Sequence, residues 1–516
     1  MQALDWTVLG AYLAAMLALA YFIGRRQSSR EDYYLGGHRL PGWALAGSII
    51  ATQCSTNSLL GAPAFVGFAA AGGLLWLQYE LAVPLAMLVL CALFLPVYRS
   101  GVISIYAYLE RRLGLGARLL ASGCFLFFRG VATGVTVYGV AAVIGLITGI
   151  PFPAAVAILM GITITYDVLG GMRAVVISDV VQMLLLVAAV ILALFWLAEP
   201  LALHWDELAA RSRPLVNDWG FTTGNNYGFW PMLFGGLFLY AAYYGCDQSQ
   251  AQRLQSAASE KQLFNILVLN GVLRFPLVLA YCLVGLGLAA YALEHSAFID
   301  ALPRTAAGEP NLNLVFPAFV AREFPAGLAG LAIVGLFAAA MSSIDSALNS
   351  LSASTVEDFI ARFRELPERR LFLASKLATF GWGAFAVVFS FQVESIAPTV
   401  LEAINKVGSM ANGPLLMLFT VAVLRPGLGQ RAAIAGFVGG LLANLLTWLF
   451  LPQVSWLWWN LLGFAAGWCV ALLAALVTAG SPADVAGERL RLPPVPTAIL
   501  LGTAVLILCT CIILQL

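Results

Sequence analysis

At 516 residues a soluble chain would hold about three domains of roughly 150 residues each. Here 61% of residues are apolar and only 10% are charged, and the mean hydropathy is +0.90, so too little polar surface exists to coat three soluble cores. Lys and Arg (27) nearly cancel Asp and Glu (26), which excludes a nucleic-acid-binding field, and three histidines exclude a repeated His-ligand metal site. The chain reads as an all-α polytopic membrane protein.

Fourteen stretches are long enough to cross about 30 Å of hydrocarbon: 5–24, 44–70, 75–97, 119–147, 152–169, 174–198, 229–246, 263–291, 327–355, 371–392, 398–423, 432–452, 456–478 and 495–515. The first begins with Asp5 and carries its basic residues afterwards, the reverse of a cleavable signal peptide. With the N-terminus outside, nineteen cationic residues between Arg25 and Arg491 fall in the cytoplasm. Only Arg211, Arg213, Arg304 and Arg322 fall outside, and Arg129, Arg274, Lys376 and Lys406 lie in or beside spans. The positive-inside rule then predicts that both termini face outward, in a cell (plasma or inner) membrane. The two longest non-spanning stretches, 199–228 and 292–326, are external, so residues 1–516 read as a single transmembrane domain. Segment 101–113 reads as a short amphipathic helix along the cytoplasmic face. The eight cysteines show no zinc-ligand spacing and read as small buried hydrophobes.

Polar groups inside spans are costly and mark function. In span two, Ala51-Thr-Gln-Cys-Ser-Thr-Asn-Ser58 precedes Gly61 and Pro63. A cluster so polar predicts a discontinuous helix whose freed carbonyls face a cavity; a polar stripe packing helix on helix is the alternative. Arg129 in span four, flanked by Phe127, Phe128 and Gly130, must find an anion or a cavity, with Asp179 or Glu80 as structural partners. Gly170-Gly171 predicts a tight cytoplasmic turn. Asp179 lies about one and a half turns into the otherwise apolar span that follows, inside a ligand site or close enough to the interface to stay hydrated.

In span nine, at about 100° per residue from Ser342, Ser343 lies near 100°, Asp345 near −60°, Ser346 near 40°, Asn349 near −20° and Ser350 near 80°. The polar groups share one arc, with Ala339 inside it. Hydroxyls, a carboxylate and a close-approach backbone suit a hard cation with oxygen ligands. Calcium wants more carboxylates, so a monovalent ion such as Na+ fits better. Lys406 follows Glu402 by four residues, a spacing that suits an intrahelical ion pair.

Three strings, in chain order Gly170-Gly171-Met172 with Ser178-Asp179 and Gln182, Gln248 with Gln252-Arg253, and Ala338–Ser346, together resemble the sodium/solute symporter family. That family includes sodium–glucose, sialic-acid, proline, pantothenate and monocarboxylate symporters, and the resemblance covers about residues 5–480. It implies the LeuT-like fold, in which 44–198 and 229–423 form inverted five-helix repeats, with 5–24 before them and 432–515 after. The orientation of the spans agrees, since the five spans of 44–198 run opposite to the five of 229–423.

Carried onto this sequence, the resemblance implies a main Na+ site from Ala51 and Cys54 carbonyls with Ala339, Ser342 and Ser343. A second Na+, used by some members, maps to Asp179, Ser342, Asp345 and Ser346. Members with that site often carry Ser at position 345; a carboxylate there binds Na+ more strongly or carries a proton. For the solute, the resemblance points to Gln53, Ser55, Ser58, Gln78, Tyr240, Tyr243 and Asn405. Tyr243 matches an aromatic gate of glucose-type members, or packs at an interface. Arg129 is implied as the holder of a solute carboxylate, though sialic-acid-type members place their Arg nearer Ala132, about one turn away.

The expected function is Na+-coupled import of a small carboxylate-bearing solute, such as a sialic acid or monocarboxylate, by alternating access. A neutral sugar or polyol is the alternative cargo, and a proton-driven symporter using Asp345 or Asp179 the alternative mechanism. A catalytic cluster and a signalling domain are both absent from the sequence, so neither an enzyme nor a sensor is expected. The partners are the solute and the lipid bilayer, with no nucleic acid and no obligatory protein.

Overall fold

Inside a bilayer the backbone finds no water, so each apolar run must satisfy its own N–H and C=O groups, and a helix does so within one segment. A computed structural model describes the chain except residues 1, 26, 28, 55, 70–71, 224, 305–307, 397–399, 479–486, 488 and 516, together with the side chains of 56, 57, 146, 147, 209, 210, 394–396 and 400–407. All fourteen predicted stretches are helical. They form α1 (Ala3–Gly24), α2 (Gly42–Gln53), α3 (Thr56–Phe68), α4 (Ala82–Leu93, entered through a 3-10 turn Leu74–Leu81), α5 (Leu115–Thr148), α6 (Phe152–Leu203), α7 (Gly236–Cys246), α8 (Gln248–Gln255), α9 (Glu260–Glu294), α10 (Leu328–Ser354), α11 (Glu368–Ile396), α12 (Val400–Leu424), α13 (Gly429–Phe450), α14 (Trp458–Ala475) and α15 (Pro494–Gln515).

Among the described residues ten helical runs are long and apolar enough to cross a membrane. Ten and fourteen are reconciled by particular residues. Span two is divided into α2 and α3, each too short alone; span seven is not among the ten, span eleven counts only as the shorter apolar run Gly408–Leu424, and spans five and six merge in the 52-residue α6. The run containing α10 is 83% buried, against 22% for α1 and α15. The Ser-rich helix is therefore the axis of the molecule, and the terminal helices present their apolar faces outward. Helix α10 packs on α6, α5, α11, α1 and α2.

The turn expected at Gly170-Gly171 resides in Gly171 alone, at φ 50 and ψ −157, a conformation that side chains disfavour. A Cβ there would lie 2.6 Å from Tyr33 Cδ2 and 2.7 Å from the Tyr33 carbonyl oxygen. Gly171→Ala is expected to destabilise the fold by about 1–3 kcal/mol, visible as a lower unfolding midpoint in detergent. An unchanged midpoint would refute that constraint.

The amphipathic segment is shorter than predicted, Tyr106–Arg112, and buries Tyr106, Tyr108 and Leu109 inside the protein. Its Tyr106 hydroxyl donates to the Cys246 carbonyl at 3.1 Å, so its apolar face meets the core. Beyond the end of α10, Asp358 is fully buried and pairs with Arg118 Nε at 2.8 Å, with Ser104 and Ser122 donating to its other oxygen. All eight cysteines are free; Cys469 and Cys509 are exposed, and five of the others are buried.

Candidate cation and solute sites at the broken helix

Helix α2 stops because Cys54 leaves the helical region, at φ −81 and ψ 60. Carbonyls in the last turn of a helix lack intrahelical donors and need other partners. The Ile50 carbonyl accepts the Cys54 N–H at 2.7 Å. The next two are taken by α10: Ser342 Oγ lies 3.2 Å from Ala51 O, and Ser343 Oγ 3.1 Å from Thr52 O. Ser342 Oγ also lies 3.0 Å from Ala339 O. Ala51, Ala339 and Ser342 thus bring three uncharged oxygens together across two helices, at 3%, 2% and 0% exposure. Cys54 is buried beside them at the break. Such neutral, hard oxygens suit one small monovalent cation, whereas divalent calcium calls for carboxylates.

The residues implied for a second sodium belong to one hydrogen-bonded network that includes a guanidinium. Asp179 Oδ2 is 3.1 Å from Arg253 Nη2, with both side chains fully buried. That nitrogen also donates to Ser346 Oγ, and Ser48 donates to Asp179. Arg253 further reaches Ser48 Oγ and the Ser249 carbonyl. A guanidinium therefore stands between Asp179 and Ser346. Asp345 accepts from Ser346 at 3.1 Å with one oxygen and from Tyr166 with the other. The reason is positional: Tyr166 precedes the Gly171 reversal of α6 and Asp179 follows it, so the two meet α10 at different places.

Ser48 and Thr52 were missed in the sequence. Thr52 Oγ1 is 2.9 Å from Ser346 Oγ. Their spacing of four residues, which places both on one face of α2, was the available signal.

The solute candidates divide in the same way. Arg129 Nη2 pairs with Asp247 Oδ2 at 3.1 Å, not with Asp179 or Glu80, and also donates to Ser249. Its guanidinium lies 5.8 Å over the Tyr243 ring, within cation–π range. Arg129 Nε is buried with no partner among the described residues. Gln53 Oε1, next to the break, is likewise buried and unpartnered. Gln78 is drawn away: its amide nitrogen donates to the Tyr227 carbonyl and its oxygen accepts the Val216 N–H at 3.2 Å, tying the 3-10 turn to the 199–228 connection.

Tyr240 accepts from Arg274 Nη2 at 2.6 Å, and Arg274 is clamped by Glu80 at 2.7 and 3.0 Å. This bidentate pair answers the question of what Glu80 binds. Ser58 is half-buried at the start of α3. Ser55 and the side chains of Glu402, Asn405 and Lys406 lie outside the described residues.

The sequence profile of the sodium:solute symporter family matches residues 33–440. The chain belongs to that family. Human sodium-coupled monocarboxylate transporter 1 is 30% identical over 455 residues, 86% of this chain and 72% of that relative. The sodium/sialic acid symporter of Proteus mirabilis is 27% identical over 453 residues, covering 86% and 89%. In fold, the symporter is similar to a substrate-bound, outward-open structure of a Na+-coupled sialic acid symporter, with a TM-score of 0.83, 23% identity, and 93% and 100% of the two chains covered. A nucleobase-cation-symport-1 family transporter is more distant, at a TM-score of 0.55 and 14% identity. The symporter is thus a multi-pass, LeuT-like membrane protein, and Na+ is its coupling ion.

Proposed function

We propose that this symporter imports a small carboxylate-bearing organic solute with Na+ by alternating access, and that it performs no covalent chemistry. The observation that carries the choice of solute is Arg129, whose guanidinium is paired with Asp247 on one side while its buried Nε has no hydrogen-bond partner among the described residues, beside the Tyr243 ring. A free N–H on a charged group in a low-dielectric setting favours an anionic acceptor. The relatives' cargoes, monocarboxylates and sialic acid, share that group. Sodium joins the Ala51 and Ala339 carbonyls to the Ser342 and Ser343 hydroxyls and orders the two half-helices, so solute and ion strengthen each other's binding. Each charge moved inward down 100 mV gains about 2.3 kcal/mol. Repeats over 44–198 and 229–423 rocking about this site would open it to each side in turn. The excess of Lys and Arg in alternate connections supports termini on the external face.

A sugar or polyol is the second reading, favoured by the acceptor Gln53 Oε1, which has no partner among the described residues and suits a hydroxyl donor. Thermal stability of the purified chain in Na+ against K+, with carboxylates and polyols added, tests both readings. Na+-specific stabilisation deepened by one carboxylate, with the solute increment lost in Arg129→Gln, is expected. Deepening by polyols alone would replace the cargo, and stabilisation set by pH with Na+ and K+ alike would replace the coupling ion.

A further inference from the structure

One buried carboxylate of the transport core belongs to none of these sites. Asp167 lies four residues before the Gly171 reversal of α6 and is fully buried. Its neighbour Tyr166 donates to Asp345 on α10, and Asn349 Nδ2, one turn further along α10, lies 3.4 Å from Asp167 Oδ1. These contacts are successive rungs between α6 and α10. Asn349 Oδ1 is already committed to Gln252 Nε2 of α8 at 2.8 Å. Asp167 Oδ2 is buried and has no hydrogen-bond partner among the described residues.

The charged groups facing this carboxyl leave it unneutralised. Arg253 of α8 directs its bonds to Asp179, Ser48, Ser249 and Ser346. Lys376 of α11 lies over the Tyr33 ring at 6.0 Å, and the Tyr33 hydroxyl donates to the Asp167 backbone carbonyl, not to its side chain. On α10 and α6 the nearby titratable groups are Asp345, Tyr166 and Asp179, all acidic. An ionised carboxylate buried without a cation is so costly that the group neutralises instead. A metal ion needs several oxygen ligands. Only one oxygen is free here, and no cluster of three or more His, Cys, Asp or Glu able to hold a metal occurs among the described residues. A proton needs one.

We propose that Asp167 is a proton-binding site, separate from the sodium cluster, and that its protonation tightens Na+ binding. The proposal rests on the sodium-coupled reading above. The link is geometric: the packing of α6 on α10 that buries Asp167 against Asn349 belongs to the same helix, α10, that holds Ser342 against the Ala51 carbonyl of α2. A proton removes the charge that opposes closing these helices, and Na+ draws the oxygens together. Both ligands favour one arrangement, so each raises the affinity for the other. A carboxylate that ligated Na+ directly would show the opposite sign, because protons would compete with the ion.

Na+ titrations of the purified chain between pH 6 and 8, followed by thermal stability, test this. Wild-type affinity is expected to rise with acid, by up to about tenfold per pH unit where the proton exchanges. Asp167→Asn should stay near the wild-type acid value at every pH. Affinity that falls with acid, a flat wild-type profile, or a slope that survives in Asp167→Asn overturns the proposal. A second readout needs no sodium. The infrared spectrum should contain a protonated-carboxyl C=O band that Asp167→Asn removes or, should that variant not fold, Asp167→Glu shifts. A band unchanged by either substitution overturns the proton site. Identical behaviour in Na+ and K+, with the band present and assigned, overturns the sodium reading and the linkage while the proton site stands.

Discussion

Ser342→Ala is expected to weaken Na+ binding by about 10- to 100-fold while leaving the fold intact. The Ser342 hydroxyl is fully buried and lies between two main-chain carbonyls, Ala51 O at 3.2 Å and Ala339 O at 3.0 Å. Those carbonyls belong to different helices, one ending at a break and one running straight through the core. The hydroxyl is the side-chain oxygen that joins them. A polar contact to a charged group contributes about 1.5–3 kcal/mol, and each 1.4 kcal/mol or so is tenfold in affinity. The methyl left by Ala occupies less space than the hydroxymethyl, so overpacking is not introduced. Ser343→Ala should act in the same direction through the Thr52 carbonyl contact at 3.1 Å, and less strongly, because Ser343 is only half-buried. The Na+ dependence of thermal stability and of solute uptake in proteoliposomes measures both variants. A Ser342→Ala protein with a wild-type Na+ midpoint would remove this cluster from the sodium pathway.

Arg253→Met is expected to be the most destabilising single substitution in the transport core, by about 3–5 kcal/mol. The guanidinium ties α8 to α6 through Asp179, to α2 through Ser48 and to α10 through Ser346, and its side chain is fully buried. Removing it leaves the Asp179 carboxylate without a cation in a low-dielectric interior, and that uncompensated charge, more than any lost contact, sets the cost. The double variant Arg253→Met with Asp179→Asn should therefore recover much of the lost stability, since it removes both charges together. Unfolding in detergent across the four members of this cycle gives the coupling energy directly. If the double variant is no more stable than Arg253→Met alone, the pair is not the source of the effect.

The two expectations differ in how visible they were in the amino-acid sequence. The arc holding Ser342 and Ser343 could be drawn from spacing, because one helix turns by a constant angle and its own residues fix which neighbours share a face. That span two would break and free its carbonyls followed from polar residues where apolar ones belong; that those carbonyls would meet the arc is what the resemblance to the family implied. Asp179 drew notice as a carboxylate within an apolar helix, yet its partner is 74 residues away on α8. Only the approach of three helices brings Arg253 between Asp179 and Ser346. Gln78 teaches the same lesson: an amide within a span can turn to a solute or to a loop, and here the 199–228 connection takes both of its ends.

From the sequence alone came the fourteen helical stretches, the membrane class, the family and the oxygen-rich face of α10, because hydrocarbon allows few backbone solutions and a helix has a regular period. The tertiary structure decided which buried charge meets which: Arg129 with Asp247, Arg274 with Glu80, and Arg253 with Asp179, while Asp167 Oδ2 has no hydrogen-bond partner among the described residues. Such pairings depend on side-chain directions at contacts between helices far apart in the chain, where one turn of rotation exchanges one partner for another and hydropathy does not change.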